Sequence, residues 1–176
     1  LDVVPPVLDD GEIVSSSAIR RAISRGDMEC ATSMLGRPYA LWGEVGPGDR
    51  RGTDIGFPTA NMKPLDAMKM LPDTGVYAVR VQVPRDVVLG HSCGYLGEVM
   101  ESLPEVDRQG DILSASPSSW LVYHGMLNFG FVPTFHGEQL REPRIEVNIF
   151  DFLGDLRGRT IKVEWIRHLR SEVHFE

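Results

Sequence analysis

From Arg37 onward, glycine and proline cut the chain into about six short stretches, each long enough for one pass through a sheet. Between 39 and 45, Tyr39, Leu41 and Val45 alternate with Ala40, Trp42 and Glu44. After Thr74-Gly75, Tyr77, Val79, Val81 and Val83 share one face. A period of two marks a strand with one side buried. Similar stretches run from Trp120 to Phe129, from Arg144 to Phe152 and from Thr160 to about Arg167, and the 57–62 run makes a sixth. Short strands divided by turns predict a mainly β fold, a small barrel or sandwich. No strand–helix–strand rhythm follows Arg37, which argues against a doubly wound parallel sheet.

Two short helices are expected before Arg37. Ser15–Ser17 can cap a segment over 18–23 that Gly26 ends, and Asp27 can cap Met28 to Leu35 with Gly36 as the stop. Both are too short to be stable alone and must pack on something. The 84–119 region, with its acidic residues and a serine run around Pro117, reads as a long connection with a helical turn over 95–103.

A chain of 176 residues suits one domain with a small appendage. Its net charge of −7 argues against a nucleic-acid surface, although a local basic site for phosphate survives that test. Two cysteines, Cys30 and Cys93, without zinc spacing point to a reducing compartment, so the cytoplasm is expected, or an organelle in a eukaryote. No apolar run approaches the roughly 18 residues of a membrane span. The first residues are acidic where a leader would be basic, and the opening Leu1 reads as that of a fragment or processed product. Oligomeric state is not legible.

The stretch GTDIGFPTANMK at 52–63 raises a chemical question. Pro58 lacks the N–H a ladder needs, so the run suits a sheet edge or a bend. Thr59 and Asn61 stand two apart, so in an extended segment they point to one side. Their neutral oxygens could serve a magnesium ion that takes its other ligands from phosphates and water, or simply cap a turn. Just upstream, Gly46-Pro47-Gly48-Asp49-Arg50-Arg51-Gly52 could cradle phosphate through close backbone N–H groups and two guanidinium forks, or form a plain hairpin loop. It matches neither the P-loop nor the dinucleotide fingerprint.

Further on, Ile145, Val147 and Ile149 face one way, leaving Arg144, Glu146 and Asn148 on the other. A carboxylate fixed on a strand between a cation and an amide suits a base toward an alcohol; most such glutamates are only solvated. A competing pattern is Gly90-His91-Ser92-Cys93-Gly94, which fits the G-x-S-x-G of a hydrolase nucleophile elbow, with Asp107 or Asp111 and His124 or His136 following in order. An elbow needs a parallel sheet, which the preceding residues do not supply. His168 and His174 lie among charges and are expected at the surface.

With these motifs assembled, the chain resembles the riboflavin kinase family, as the C-terminal part of bifunctional riboflavin kinase/FAD synthetases. The residues that carry the likeness are Gly56-Phe57-Pro58-Thr59-Ala60-Asn61, Gly75-Val76-Tyr77-Ala78-Val79, and Asn128 with Pro133-Thr134-Phe135. They continue through Glu146, Asp151-Phe152, Gly154-Asp155-Leu156 and Gly158 to Leu169-Arg170, Glu172 and Phe175. The resemblance implies a six-stranded Greek-key barrel over 37–176 with an insertion at about 84–119, preceded over 1–36 by the tail of a nucleotidyltransferase domain. It implies phosphoryl transfer from Mg-ATP to the 5′-hydroxyl of riboflavin, giving FMN, with FAD synthetase activity in a longer parent. Thr59 would contact Mg²⁺, Asn61 would help position it with the phosphates, and Glu146 would be the base. The loop with Gly46, Gly48, Arg50, Arg51 and Gly52 would fold over ATP, joined by Gly56. Phe57, Arg170 and Phe175 would lie near the flavin. The likeness departs at Asn148, where a histidine is usual, and at 84–119, normally a tight hairpin. A non-catalytic flavin- or nucleotide-binding appendage is the alternative reading.

Overall fold

The computed structural model describes residues 4–47, 59–87, 105–106, 112–113, 120–132 and 142–171. Six strands close into an antiparallel barrel: β1 Tyr39–Val45, β2 Thr59–Pro64, β3 Gly75–Pro84, β4 Trp120–Val132, β5 Glu142–Ile149 and β6 Thr160–Arg170. Around the barrel the order is β6-β1-β2-β5-β4-β3, and β3 closes on β6. Strands β3, β4 and β5 follow one another as neighbours, and β6 returns to lie beside β3. That return is the Greek-key connection.

Alternation decides which side chains fill the interior. Tyr39, Leu41 and Val45 of β1, Tyr77, Val79, Val81 and Val83 of β3, and Leu127 and Phe129 of β4 are buried together. Ile145, Val147 and Ile149 of β5 join them with Ile161, Val163 and Trp165 of β6. Each residue between them is thereby turned to the outer face. Strands β1 and β2 approach closely at Gly43, where an added Cβ would stand 2.3 Å from the Met62 side chain and 2.7 Å from the Lys63 carbonyl oxygen.

Helices α1 (Ser16–Ser24) and α2 (Met28–Leu35) start and stop where their caps dictate. Ser15 Oγ accepts from Ala18 N at 3.2 Å, Asp27 Oδ1 accepts from Cys30 N at 3.0 Å, and Gly36 closes α2 at φ 69°. Ala22, Ile23, Met28 and Ala31 carry their apolar face into the cluster that holds Tyr39, Tyr77 and Trp165. Glu29 of α2 pairs with Arg167 of β6 on the rim of that contact.

Some expectations shift. The GFPTAN run is expected at a sheet edge or bend; Thr59, Ala60 and Asn61 pair with β5 and open a strand whose ladder to β1 runs over Met62, Lys63 and Pro64. Gly56, Phe57 and Pro58 lie outside the described residues. Strand β5 ends at Ile149 rather than Phe152, where Asp151 turns the chain at φ 54°. His168 is half-buried and meets the Tyr77 ring edge-on at 4.9 Å, so it is a packing residue, not a surface one; His174 lies outside the described residues. An unforeseen two-stranded ribbon pairs Leu8–Asp9 with Glu12–Ile13. Its turn, Asp10-Gly11, has positive φ at both positions, the hairpin signal that this dipeptide offers. Within 84–119 the described pieces are a short turn at Arg85–Val87 and a ribbon of Glu105–Val106 with Ile112–Leu113. The turn expected at 95–103 lies outside them.

Candidate functional site on the outer face

Three neighbouring strands, β2, β5 and β4, gather polar side chains on the outer face. Thr59 and Asn61 flank inward-packed Ala60, and both are half-buried. On β5, Arg144, Glu146 and Asn148 alternate with the buried Ile145, Val147 and Ile149. Register then sets who faces whom. Asn61 stands directly opposite Glu146, and Thr59 opposite Asn148. On the other flank Asn128 of β4 stands opposite Glu146, and Met126 opposite Asn148. Side chains facing each other in this way have Cβ atoms about 4.5–5.5 Å apart. The threonine, the asparagine and the glutamate therefore converge on one patch.

Glu146 is held as well as placed. Arg144 donates to Glu146 Oε1 from Nε at 2.9 Å and approaches it with Nη2 at 2.7 Å. The Glu146 side chain keeps 26% exposure, so a ligand can still reach it. Two guanidinium contacts on one oxygen fix the carboxylate's orientation and leave the other oxygen the freer acceptor. A carboxylate presented in this manner can take a proton from a hydroxyl laid beside it.

Gly46, the first residue of the glycine-rich loop, donates its N–H to the Asn61 carbonyl oxygen at 2.8 Å. The root of that loop is thus tied to the backbone of a site residue. Gly48, Arg50, Arg51 and Gly52 lie outside the described residues, as does Phe175. Arg170 ends β6 opposite Val76, which is opposite Asn128. It occupies the same cross-strand row as Glu146 but three strand spacings away, roughly 14 Å along the sheet. The structure brings Thr59, Asn61 and Glu146 together and leaves Arg170 at the margin.

No group of three or more His, Cys, Asp or Glu gathers among the described residues. An all-protein metal cage is not what this patch offers. Thr59 and Asn61 instead give two neutral oxygens on one side of a strand, a donor set suited to a hard cation that arrives already bound to phosphates. Ser92 lies outside the described residues, and every described strand pair is antiparallel, so the parallel sheet of a nucleophile elbow is not seen. His124 is exposed on β4. Asn128 enters the sequence reading only through its motif; an asparagine in mid-strand, where the residue is disfavoured, is the signal that makes it a candidate.

Fold and site together define a small closed antiparallel barrel that carries a single-glutamate polar site on its outer face. The chain belongs to the riboflavin kinase family: the family model described as "Flavokinase: Riboflavin kinase" matches residues 35–176. It is 37% identical over 173 residues to a bifunctional riboflavin kinase/FMN adenylyltransferase of Bacillus subtilis, covering 98% of this chain and 43% of the relative. The corresponding protein of Escherichia coli is 35% identical over 167 residues, covering 95% of this chain and 41% of the relative. Among solved structures, one described as a macrolide-efflux protein from Streptococcus pneumoniae superposes with a TM-score of 0.72 at 34% identity. That match covers 98% of this chain and 44% of the other. The chain thus spans less than half the length of these relatives. No helix among the described residues is long and apolar enough to cross a membrane.

Proposed function

We propose that this chain is a riboflavin kinase module, transferring the γ-phosphoryl group of ATP to the 5′-hydroxyl of riboflavin to give FMN and ADP. The observation that carries the reading is the register that sets Asn61 opposite Glu146 on the outer face. One residue of the pair belongs to the GFPTAN run and the other is the strand carboxylate. Glu146, held by Arg144, accepts the hydroxyl proton as the oxygen–phosphorus bond forms and the bond to the bridging oxygen of ADP breaks. Phosphoryl transfer needs mainly positioning and charge neutralisation, so one placed carboxylate suffices as base. Thr59 would hold a divalent metal, magnesium by preference, which supplies neutralisation of phosphate charge when bound. Asn61 would orient the phosphates, and the Gly46–Gly52 loop, with Arg50 and Arg51, would cover the nucleotide. Phe57, Arg170 and Phe175 would border the flavin.

By the same reading, residues 1–36 are the tail of a nucleotidyltransferase domain in a longer cytoplasmic protein, which would carry the FMN adenylyltransferase step. The test is direct. Incubated with riboflavin, ATP and Mg²⁺, the protein should yield FMN by chromatography. Glu146→Gln should lower kcat about 10²- to 10⁴-fold while the fold persists. Flavin binding without FMN formation would leave only a binding appendage, and an unchanged Glu146→Gln rate would remove the base from this position.

A further inference from the structure

The 176 residues include three asparagines, Asn61, Asn128 and Asn148, and all three surround Glu146. Asn61 lies across the β2–β5 ladder from it, Asn128 across the β5–β4 ladder, and Asn148 two positions along its own strand. Each sits inside a strand, where asparagine is a poor choice because its carboxamide competes with the backbone for hydrogen bonds. Packing does not explain them. The inward neighbours Met62, Leu127, Phe129 and Val147 fill the core, while the asparagines stay half-buried on the outer face. A carboxamide offers both a donor and an acceptor, which is what a hydroxyl needs when it must be held in one orientation.

The two flanks of Glu146 are chemically different. On the β2 side Asn61 has Thr59 two residues away, and Gly46 of the phosphate-loop candidate bonds to its carbonyl. On the β4 side Asn128 has Met126 two residues away, 41% exposed, and Ala78 of β3 stands opposite Met126. One flank presents side-chain oxygens and Gly46, the other a carboxamide bordered by apolar surface. A polyol attached to a flat apolar ring fits the second flank and a triphosphate fits the first.

We propose that Asn128 grips the acceptor hydroxyl beside Glu146, so that alcohol enters over β4 while nucleotide lies over β2. This rests on the kinase reading above. Asn128 accepts from or donates to the 5′-hydroxyl, and Glu146 takes its proton. Asn61 serves the donor side, and the two carboxamides are not interchangeable.

The experiment compares wild type, Asn128→Ala, Asn128→Ser and Asn61→Ala. FMN formation by wild type establishes the underlying reading first; without it, that reading fails independently of the variants. Asn128→Ala should raise the KM for riboflavin and lower kcat, leaving the KM for ATP within about twofold, whereas Asn61→Ala should mainly raise the KM for ATP. Binding of riboflavin is then compared with that of 5′-deoxyriboflavin, which lacks the hydroxyl. Wild type and Asn61→Ala should prefer riboflavin by about 10-fold, the scale of one hydrogen bond, and Asn128→Ala should show a smaller preference, the remainder being the contact with Glu146. Asn128→Ser, which keeps a short polar group, should regain part of what is lost. A preference for the hydroxyl that is undiminished in Asn128→Ala, or an ATP KM that moves instead, would overturn the assignment.

Discussion

Glu164 gives the barrel wall its sharpest energetic test. It lies on β6, on the outer side of the sheet, yet is only 5% exposed. Its carboxylate accepts from Arg80 Nε at 3.1 Å, with Arg80 Nη2 at 2.9 Å, from Gln82 Nε2 at 3.3 Å and from Lys162 Nζ at 2.8 Å. Lys162 is itself 12% exposed in its side chain and Arg80 32%. Glu164→Gln removes the negative charge and leaves two cations facing a neutral amide. Breaking a buried pair typically costs about 3–5 kcal/mol. Because Arg80 reaches water, the lower end applies, about 3 kcal/mol. For a chain of this size that lowers Tm by roughly 6–12 °C. Urea unfolding followed by tryptophan fluorescence measures it. Replacing Lys162 and Glu164 together by methionine should recover part of the loss, since the more buried cation goes with the carboxylate and only Arg80, which reaches water, is left without its partner. A Glu164→Gln cost below about 1 kcal/mol would mean that water screens the cluster, as it does exposed pairs, and the argument from burial would be wrong.

Two further perturbations carry a pH signature. The Tyr77 hydroxyl donates to the Asp73 carbonyl oxygen at 2.5 Å, and burial, with Asp73 adding to it, pushes its pKa up to about 12. A phenol raised in the folded state contributes stability fully present below about pH 10 and lost as pH rises toward 12. Tyr77→Phe should therefore cost about 1 kcal/mol at neutral pH and flatten the alkaline fall; an equally steep fall in the variant would sink this account. Asp155 in the β5–β6 connection is held down to about 2 by hydrogen bonds from the Arg157 side chain and backbone. Its contribution is present above about pH 4 and disappears as pH falls through 2. The Tm of Asp155→Asn should thus sit below wild type at pH 7 and converge with it near pH 2; a gap unchanged by pH would refute the cause.

How much of this was legible depended on whether a residue's neighbours lie along the chain or across it. The strand over Tyr39–Val45 and the valine face of Tyr77 to Val83 announce themselves by a period of two, because a half-buried strand repeats at that interval. Helix ends could be read to the residue at Asp27 and Gly36, since capping is local chemistry. Barrel closure was not local. Nothing in GFPTAN says that the strand it opens takes β5 as one neighbour and β1 as the other. The same holds for His168, which looked solvated among charges until Tyr77 of a neighbouring strand came beside it. Two register shifts along β6, between Trp165 and Arg167 and between His168 and Arg170, have no marker such as glycine or proline. In the site, the shared face of Thr59 and Asn61 followed from spacing, and so did that of Arg144 and Glu146. That Asn61 stands opposite Glu146 and Thr59 opposite Asn148 is a fact of register, and register is set by core packing elsewhere.

The placing of the site on the wall's outside has a physical consequence. In a small closed barrel the inward positions are committed to packing, and here they run from Leu41 and Val45 through Met62, Ile145 and Val147 to Leu127 and Phe129. A polar group among them would need its own partners or would cost stability. The outward positions of the same strands carry no such duty. They inherit a spacing of about 5 Å between facing side chains that ladder hydrogen bonds hold fixed. Asparagine, weak as a strand former, is tolerated at 61, 128 and 148 because the apolar residues between them supply the stability that the carboxamides do not. Glu146 gains rigidity from Arg144 without being buried, so it keeps access to ligand while losing rotamer freedom before a ligand arrives. On the proposed reading, preorganisation of this kind would lower the entropic cost of bringing a hydroxyl and a phosphate into line. The core would therefore act on the proposed chemistry indirectly: any substitution that slips β5 by one residue would turn Glu146 inward and Ile145 outward, abolishing the candidate site without touching it.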